Sequence, residues 1–310
     1  MKSLKGRDLL TLQDYTREEI MFILETAKML KQRYYSGERV IPILKGKTLA
    51  MIFQKPSTRT RVSFEVAMLQ LGGFVLYLSW NELQLGRGET IADTARVLSR
   101  YVDSVMARVY KQSDLEELAK YADIPIINGL SDLYHPCQAL GDMLTIWEKK
   151  GRLKDLKIAW VGDGNNVANS LIIISTKLGL DIAVATPKGY EPPKHVIEWA
   201  YENARESGSK ITLTNDPSEA VKDADVIYTD VWVSMGQEKE KEIRLRVFRP
   251  YQVNKELIKK AKENVIFMHC LPAHRGEEVT DEVIDGPWSV VWDQAENRLH
   301  AQKAILSLLL

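Results

Sequence analysis

The 310-residue chain is poor in cysteine and carries no excess of charge of either sign. Its 2 cysteines, Cys137 and Cys270, are too few for a disulfide framework and lack the paired spacing of a structural zinc site, so a reducing compartment fits. The 42 Lys and Arg residues balance 42 Asp and Glu residues. No global field therefore recommends nucleic acid or an anionic membrane as partner. No apolar run approaches the roughly 20 residues of a membrane span, and MKSLKGRDLL at the N-terminus lacks a signal-type apolar core. The expected location is cytoplasmic, with no membrane and no nucleic-acid partner.

What the chain has is length for two domains and 45% apolar residues to fill their cores. Short β-branched or apolar runs alternate with longer amphipathic segments from end to end, the pattern of parallel sheets with crossover helices. The fold class expected is α/β, two doubly wound parallel-sheet domains with helices on both faces. The first helix is signalled by a capping box, Thr16 with Glu19, and by one apolar stripe, Ile20, Ile23, Leu24, Ala27 and Leu30. A strand at 48–53, a helix at 60–71, FVLYLS, a helix at 90–101, SVMARV, DLEELAKYA, IPIING and a long helix at 135–149 follow. EKKGRLKDLK (148–157) is polar, charged and split by a Gly, which marks a domain boundary. Residues 1–149 and 150–295 are the expected domains. The second series runs KIAWVGD, ANSLIIISTKLG, DIAVAT, HVIEWAYENA, ITLTN, DPSEAVKDA, DVIYTDV, NKELIKKAK, VIFMHCL and SVVWDQ. The amphipathic 296–310 is long enough to cross back onto the first domain.

One stretch carries chemistry on its face. QKPSTRTRVSFE (54–65) leaves the buried strand TLAMIF and crowds hydroxyls, two arginines and a lysine into the start of a helix. A helix N-terminus offers unpaired N–H groups and the positive end of its dipole, so it is a ready anion site. Ser57, Thr58 and Thr60 add hydroxyl donors, and Arg59 adds a planar fork matched to phosphate oxygens. The Gly-rich cradle and GK[ST] ending of a P-loop are absent, so the phosphate expected is small and held by side chains. Arg108 ends the strand SVMARV. His135 and Gln138 open a helix in SDLYHPCQAL, where Pro136 suits the first turn. The carboxyl edge of a parallel sheet is where α/β proteins bind ligands, and these residues share it. Each also has a plain structural reading: Ser57 as a helix cap, His135 likewise, Arg108 as an ion-pair partner.

STRTR (57–61), HPCQ (135–138) and HCLP (269–272), with GDGNNVANS, DVWVSMGQE, HCLPAHRGEEV and DQAENRLHAQ, resemble the aspartate/ornithine carbamoyltransferase family over essentially the whole chain. The set in this order is specific, whereas STRTR alone would leave several transferases open. The resemblance implies a carbamoyl-phosphate domain followed by an amino-acid domain, a homotrimer or an assembly of trimers with sites between subunits, and no metal or organic cofactor. It implies transfer of the carbamoyl group of carbamoyl phosphate to the δ-amine of L-ornithine, in arginine metabolism. By the same resemblance Ser57, Thr58, Arg59 and Thr60 bind phosphate, Arg108 and His135 with Thr60 hold the carbamoyl oxygen, and Gln138 takes the carbamoyl NH2. Gln84 in NELQLGRGE matches a contact from the neighbouring subunit, and Arg298 in DQAENRLH returns to the site. Asn166, Asp230, Ser234 and Met235 match the positions that read the amino-acid head group. Cys270 stands beside the attacking amine, and the carbonyls of Cys270 and Leu271 face both substrates. His269, His274, His300 and Cys137 read as structural, and His195 as a surface position.

Three rivals remain at this stage. A dinucleotide-binding dehydrogenase is suggested by KIAWVGDGNN, but Val167 stands where the third small residue belongs, and DIAVATPKG ends without the acid that would bind ribose. A non-catalytic anion-binding module explains STRTR and leaves HCLP without purpose. A sibling transferase using aspartate, putrescine or N-acetylornithine shares most of the first half. An aspartate user needs cations for a second carboxylate, and DVWVSMGQE offers none.

Overall fold

The Thr16 side chain accepts from the Glu19 N–H while Glu19 returns to the Thr16 N–H, and this capping box starts α1 (Arg17–Tyr35). Its stripe of Ile20, Ile23, Leu24, Ala27 and Leu30 is buried, as the spacing predicts. The computed structural model describes residues 3–234 and 236–310, the side chain of Glu238 excepted. The chain forms two compact units, residues up to Leu144 together with Glu296–Leu310, and Thr145–Ala295.

The first unit is built on β1 (Thr48–Phe53), β2 (Phe74–Ser79), β3 (Ser104–Arg108) and β4 (Ile126–Leu130), with α2 (Thr58–Gln70), α3 (Ile91–Leu98) and α4 (Gln112–Tyr121) as the crossovers. All neighbours are parallel, in the order β2-β1-β3-β4. β3 and β4 are buried along their whole length, the near-continuous apolar character that a parallel sheet covered on both faces demands. The chain leaves β1 for β2 on one side and returns past it to β3 on the other. The strand order therefore switches between β1 and β3, whose carboxyl ends open the crevice where such sheets take ligands. After β4 comes α5 (Pro136–Lys150).

The second unit carries β5 (Lys157–Val161), α6 (Asn166–Leu178), β6 (Asp181–Ala185), α7 (Lys194–Ser207), β7 (Ile211–Thr214), α8 (Pro217–Val221), β8 (Val226–Thr229), α9 (Lys241–Phe248), α10 (Lys255–Ile258), β9 (Ile266–His269), α11 (Asp281–Ile284) and the start of α12 (Val291–Leu309). Its sheet is parallel in the order β7-β6-β5-β8-β9, so its switch point lies between β5 and β8. The core gathers Val161, Ala183, Ile227, Phe267, Val279 and Val291.

SVVWDQ departs from the strand pattern. Ser289 makes a single bridge to Phe267, and from Val291 the chain is already helical. Val290 and Val291 are buried where the chain enters α12, and there burial outweighs intrinsic propensity. α2 starts at Thr58 rather than Thr60, because Ser57 supplies the cap.

Candidate active site

In the first unit the residues expected around phosphate converge on the β1–β3 switch point. Ser57 caps α2 by accepting the Thr60 N–H at 3.2 Å, which leaves its own hydroxyl proton to donate. Capping thus leaves this oxygen able to donate to an anion as well. Thr58 is exposed, Arg59 half-buried and Thr60 buried. Arg61 turns away: its guanidinium lies 3.9 Å from the Tyr77 ring centroid. Arg108 pairs in register with Phe53, at a bulge against β4 that falls between Ala107 and Arg108. Bulges re-aim side chains, and here Arg108 Nη1 donates to Thr60 Oγ1 at 3.5 Å.

Arg298 arrives on α12. It is 3% exposed and donates from Nη1 to Gln138 Oε1 at 2.7 Å and from Nη2 to Thr60 Oγ1 at 3.2 Å. A Cβ built on Gly141 would lie 3.3 Å from the Arg298 backbone nitrogen, so α5 and α12 approach this closely because position 141 has no side chain. Gln138 also donates from Nε2 to Asp142 Oδ1 at 2.8 Å. Both ends of its amide are therefore assigned, and Oε1 retains acceptor capacity for a further N–H. His135 sits 5% exposed just before α5. Burial holds its imidazole well below the ordinary range, and the guanidiniums of Arg298, Arg108 and Arg59 push it the same way. It is a neutral hydrogen-bonding group among cations. Gln84 lies apart from these contacts, exposed on the single turn Gln84–Arg87.

In the second unit the loops after β5, β8 and β9 meet. Asn165 caps α6, its Oδ1 accepting from Val167 N at 3.0 Å and Ala168 N at 3.1 Å. Its Nδ2 donates to Asp230 Oδ2 at 2.7 Å, a bond across the switch point. Asp230 Oδ1 accepts from the Val231 N–H at 2.8 Å and from the Cys270 thiol at 3.0 Å. Asn166 is the first residue of α6, and Ser234 is half-buried with its N–H held by Gln237 Oε1 at 3.0 Å. Met235 lies outside the described residues. Asn165 was missed in the sequence because either Asn of GDGNN can cap; the repeated Asn was the signal.

His269 has more work than packing. The Leu271 N–H donates to His269 Nδ1 at 2.8 Å, so the ring proton is on Nε2, 3.0 Å from Glu278 Oε1. Both His269 and Glu278 are fully buried, and they fix the turn where Leu271 has φ 59° and the Leu271–Pro272 peptide is cis. Asp230, His269 and Cys270 bring potential metal donors within 4.8 Å of one another. Both nitrogens of that imidazole are committed, so the trio offers no free ring ligand.

Residues 7–148 match the family profile described as aspartate/ornithine carbamoyltransferase, carbamoyl-P binding domain, and residues 154–309 match the Asp/Orn binding domain of the same family. The chain belongs to this family. It is 70% identical to the ornithine carbamoyltransferase of Pyrococcus abyssi, covering 99% of this chain and 97% of that protein. It is 69% identical to a Pyrococcus furiosus protein named ornithine carbamoyltransferase, anabolic, over 99% of this chain and 98% of that one. A solved structure of ornithine carbamoyltransferase from P. furiosus superposes with a TM-score of 0.97 at 69% identity, covering 100% of this chain and 98% of the other. Membership sets the dehydrogenase and the non-catalytic module aside. In keeping with it, β6 runs on into Thr186 and Pro187 with no acid at its end.

Proposed function

We propose that the chain transfers the carbamoyl group of carbamoyl phosphate to the δ-amine of L-ornithine, giving L-citrulline and phosphate. The 70% identity to a relative named ornithine carbamoyltransferase carries the choice of acceptor, and the charge of the second unit's subsite agrees with it. Asp230 is 6% exposed and joined to Asn165 and Cys270, and among the described residues no Lys or Arg pairs with it. A buried acid without a cation suits an ammonium, not the second carboxylate of aspartate.

Residues 1–149 with 296–310 take carbamoyl phosphate, and 150–295 take ornithine. Ser57, Thr58, Arg59 and Thr60, with the first N–H groups of α2, bind the phosphate, and Gln84 adds a contact from a neighbouring subunit. Arg108, His135 and Thr60 aim donors at the carbamoyl oxygen, where negative charge develops on attack. One such donor contributes about 3 kcal/mol in a comparable oxyanion site. Gln138 Oε1 accepts from the carbamoyl NH2, oriented for that by Arg298.

Asp230, Ser234, Asn166 and Met235 read the amino-acid head group. A δ-ammonium of pKa about 10 loses its proton before attack, which a dry environment favours. The carbonyls of Cys270 and Leu271 accept from the resulting amine and border the carbamoyl group. The C–N bond forms as the C–O bond to phosphate breaks, and the departing phosphate takes up the second nitrogen proton. Neither a metal nor an organic cofactor enters this scheme.

The assembly is a homotrimer or a higher assembly of trimers. Supporting this, the edge strand β2 exposes Phe74, Leu76 and Tyr77, an apolar edge that isolated sheets avoid. Two free cysteines support a cytoplasmic setting, and the name anabolic on the P. furiosus relative supports a role in arginine biosynthesis. The test is citrulline-type ureido formation with ornithine, putrescine, aspartate and N-acetylornithine in parallel, beside Arg59→Ala. Turnover with ornithine alone, lost in the variant, is expected; turnover only with another amine overturns the acceptor.

A further inference from the structure

Gln54 opens the phosphate segment, yet the transfer scheme gives it no part. It stands just beyond β1, whose last pair with β3 is Phe53 with Arg108. Its backbone N–H still donates to the Arg108 carbonyl at 2.9 Å, so the ladder runs one rung past the strand. There the two chains part, one toward Ser57 and one toward Tyr110, and the side chain takes over. Gln54 Oε1 accepts from the Tyr110 N–H at 2.6 Å, and its Nε2 donates to Asp114 Oδ2 at 3.3 Å in the first turn of α4. Lys55, 8% exposed, sets its ammonium 4.4 Å from the Tyr110 ring centroid.

The partners leave that amide a single orientation. A backbone N–H only donates and a carboxylate oxygen only accepts, so the amide oxygen faces Tyr110 and the nitrogen faces Asp114. One side chain thus joins the exit of β1, the exit of β3 and the start of α4. The first leads directly to Ser57 and the cap of α2, and the second carries Arg108. The β3 exit is held on its other side as well, by the Val109 N–H on the Leu130 carbonyl at 2.9 Å and the Gln112 N–H on Asp132 Oδ1 at 2.8 Å. Arg108 and Thr60 themselves meet at 3.5 Å, longer than an ordinary hydrogen bond. That contact is too weak to set the spacing of the two donor groups.

We propose that Gln54 is a positioning residue whose amide fixes the separation between the α2 N-terminus and Arg108, so that the phosphate and the carbonyl oxygen of one carbamoyl phosphate meet their donors together. The inference rests on the carbamoyl phosphate reading of the first unit. It separates two ligands. Carbamoyl phosphate spans both donor groups and feels their spacing, whereas inorganic phosphate needs only the α2 group. A misplacement of about 1 Å between groups that act together is enough to cost about 100-fold in rate.

The experiment is steady-state kinetics of the full chain with Gln54→Met, Gln54→Glu, Asp114→Asn and the Gln54→Glu/Asp114→Asn double variant, with inhibition by inorganic phosphate and circular dichroism alongside. Gln54→Met keeps the stem and removes both side-chain bonds. It is expected to raise the KM for carbamoyl phosphate and to lower kcat, each about 10-fold, with the Ki of inorganic phosphate and the KM for ornithine within about threefold. Gln54→Glu sets two carboxylates face to face and is expected to lose about as much. Asp114→Asn alone keeps an accepting oxygen and moves each constant by less than about threefold. The double variant restores one donor and one acceptor with their direction reversed, so kcat and the carbamoyl phosphate KM should return to within about threefold of wild type. A general loosening of the fold would not recover in this way. If Gln54→Met does not fold, Gln54→Glu and the double variant carry the same comparison. A folded Gln54→Met with unchanged carbamoyl phosphate kinetics, an equal weakening of inorganic phosphate, or a double variant no better than Gln54→Glu overturns the proposal. A wild type that turns over carbamoyl phosphate with no amine overturns the functional reading itself, which the unmutated control reports separately.

Discussion

Arg298→Met should separate ligand affinity from stability. The guanidinium donates to Gln138 and to Thr60, and Arg298 is 3% exposed. Losing two charged bonds alone would cost about 1.5 to 3 kcal/mol each. Against this stands the penalty of keeping the charge there. Arg298 shares its surroundings with Arg108 and Arg59, and the depressed His135 imidazole registers all three cations. Removing one relieves its desolvation and the mutual repulsion, together several kcal/mol. In the ligand-free protein the two terms oppose, and the thermal midpoint should move by no more than about 4 °C. With a phosphate dianion present the charge term changes sign, because the same cation now attracts. The Kd for carbamoyl phosphate should rise about 30- to 100-fold, equivalent to about 2 to 2.7 kcal/mol. The assay is the thermal midpoint across a ligand series, where stabilisation follows RT ln(1 + [L]/Kd) and the variant's curve shifts to higher concentration. A variant that is strongly destabilised without ligand yet keeps its affinity would show Arg298 to be a strut, and the reasoning would fail.

Acid should test His135: the unfolded chain takes up a proton below about pH 6.5 that the buried ring refuses, so stability falls as pH drops below that value. His135→Asn should flatten the midpoint-against-pH slope there, and an unchanged slope contradicts the assignment. Burial pushes the Cys137 thiol up to about 12, so iodoacetamide at about pH 8 should label the half-buried Cys270 and spare Cys137 until unfolding; peptide mapping showing equal labelling refutes this. Burial raises Asp163 to about 6 against the pull of Arg244, whose Nη1 donates to its Oδ2 at 3.0 Å, so the folded protein holds this proton longer than the unfolded chain and the group's contribution to stability declines as pH rises from about 4 to about 6. The wild-type midpoint should therefore fall relative to that of Asp163→Asn across that range; parallel curves count against it.

Local signals were legible where local chemistry decides. The Thr16–Glu19 box, the period of α1 and the buried run of β1 depend on neighbours in sequence, and all appear. SVVWDQ was not legible, because Val290 and Val291 are chosen for burial at the foot of a helix and carry no strand period to say so. The Asn165 cap was ambiguous by one residue, since a cap is defined by where the backbone turns helical. Arg244 was invisible. KEIRLRVF reads as a surface helix with spaced charges, and nothing local announces that Asp163 and Trp232 from two other loops will bury one of its arginines. The same holds for His269, whose partner Glu278 lies beyond the cis turn.

The balanced charge of the chain has a second meaning once the side chains are placed. Equal totals of acid and base excluded a global partner, but they conceal two opposite local environments. At the β1–β3 crevice Arg59, Arg108 and Arg298 surround an imidazole that stays neutral, and a small dianion is the ligand that offsets their desolvation. At the β5–β8 crevice Asp163, Asp230 and, beside them in HCLPAHRGEEV, Glu278 are buried, with Arg244 taken by Asp163 and His269 by Glu278. Asp230 alone is left with neutral donors. That residue is where a cationic amine gains most, so the sign of each environment assigns phosphate to one unit and ammonium to the other without appeal to net charge. Exchanging the assignments would place a dianion beside three buried acids and an ammonium among three guanidiniums, each arrangement costing what the native one relieves.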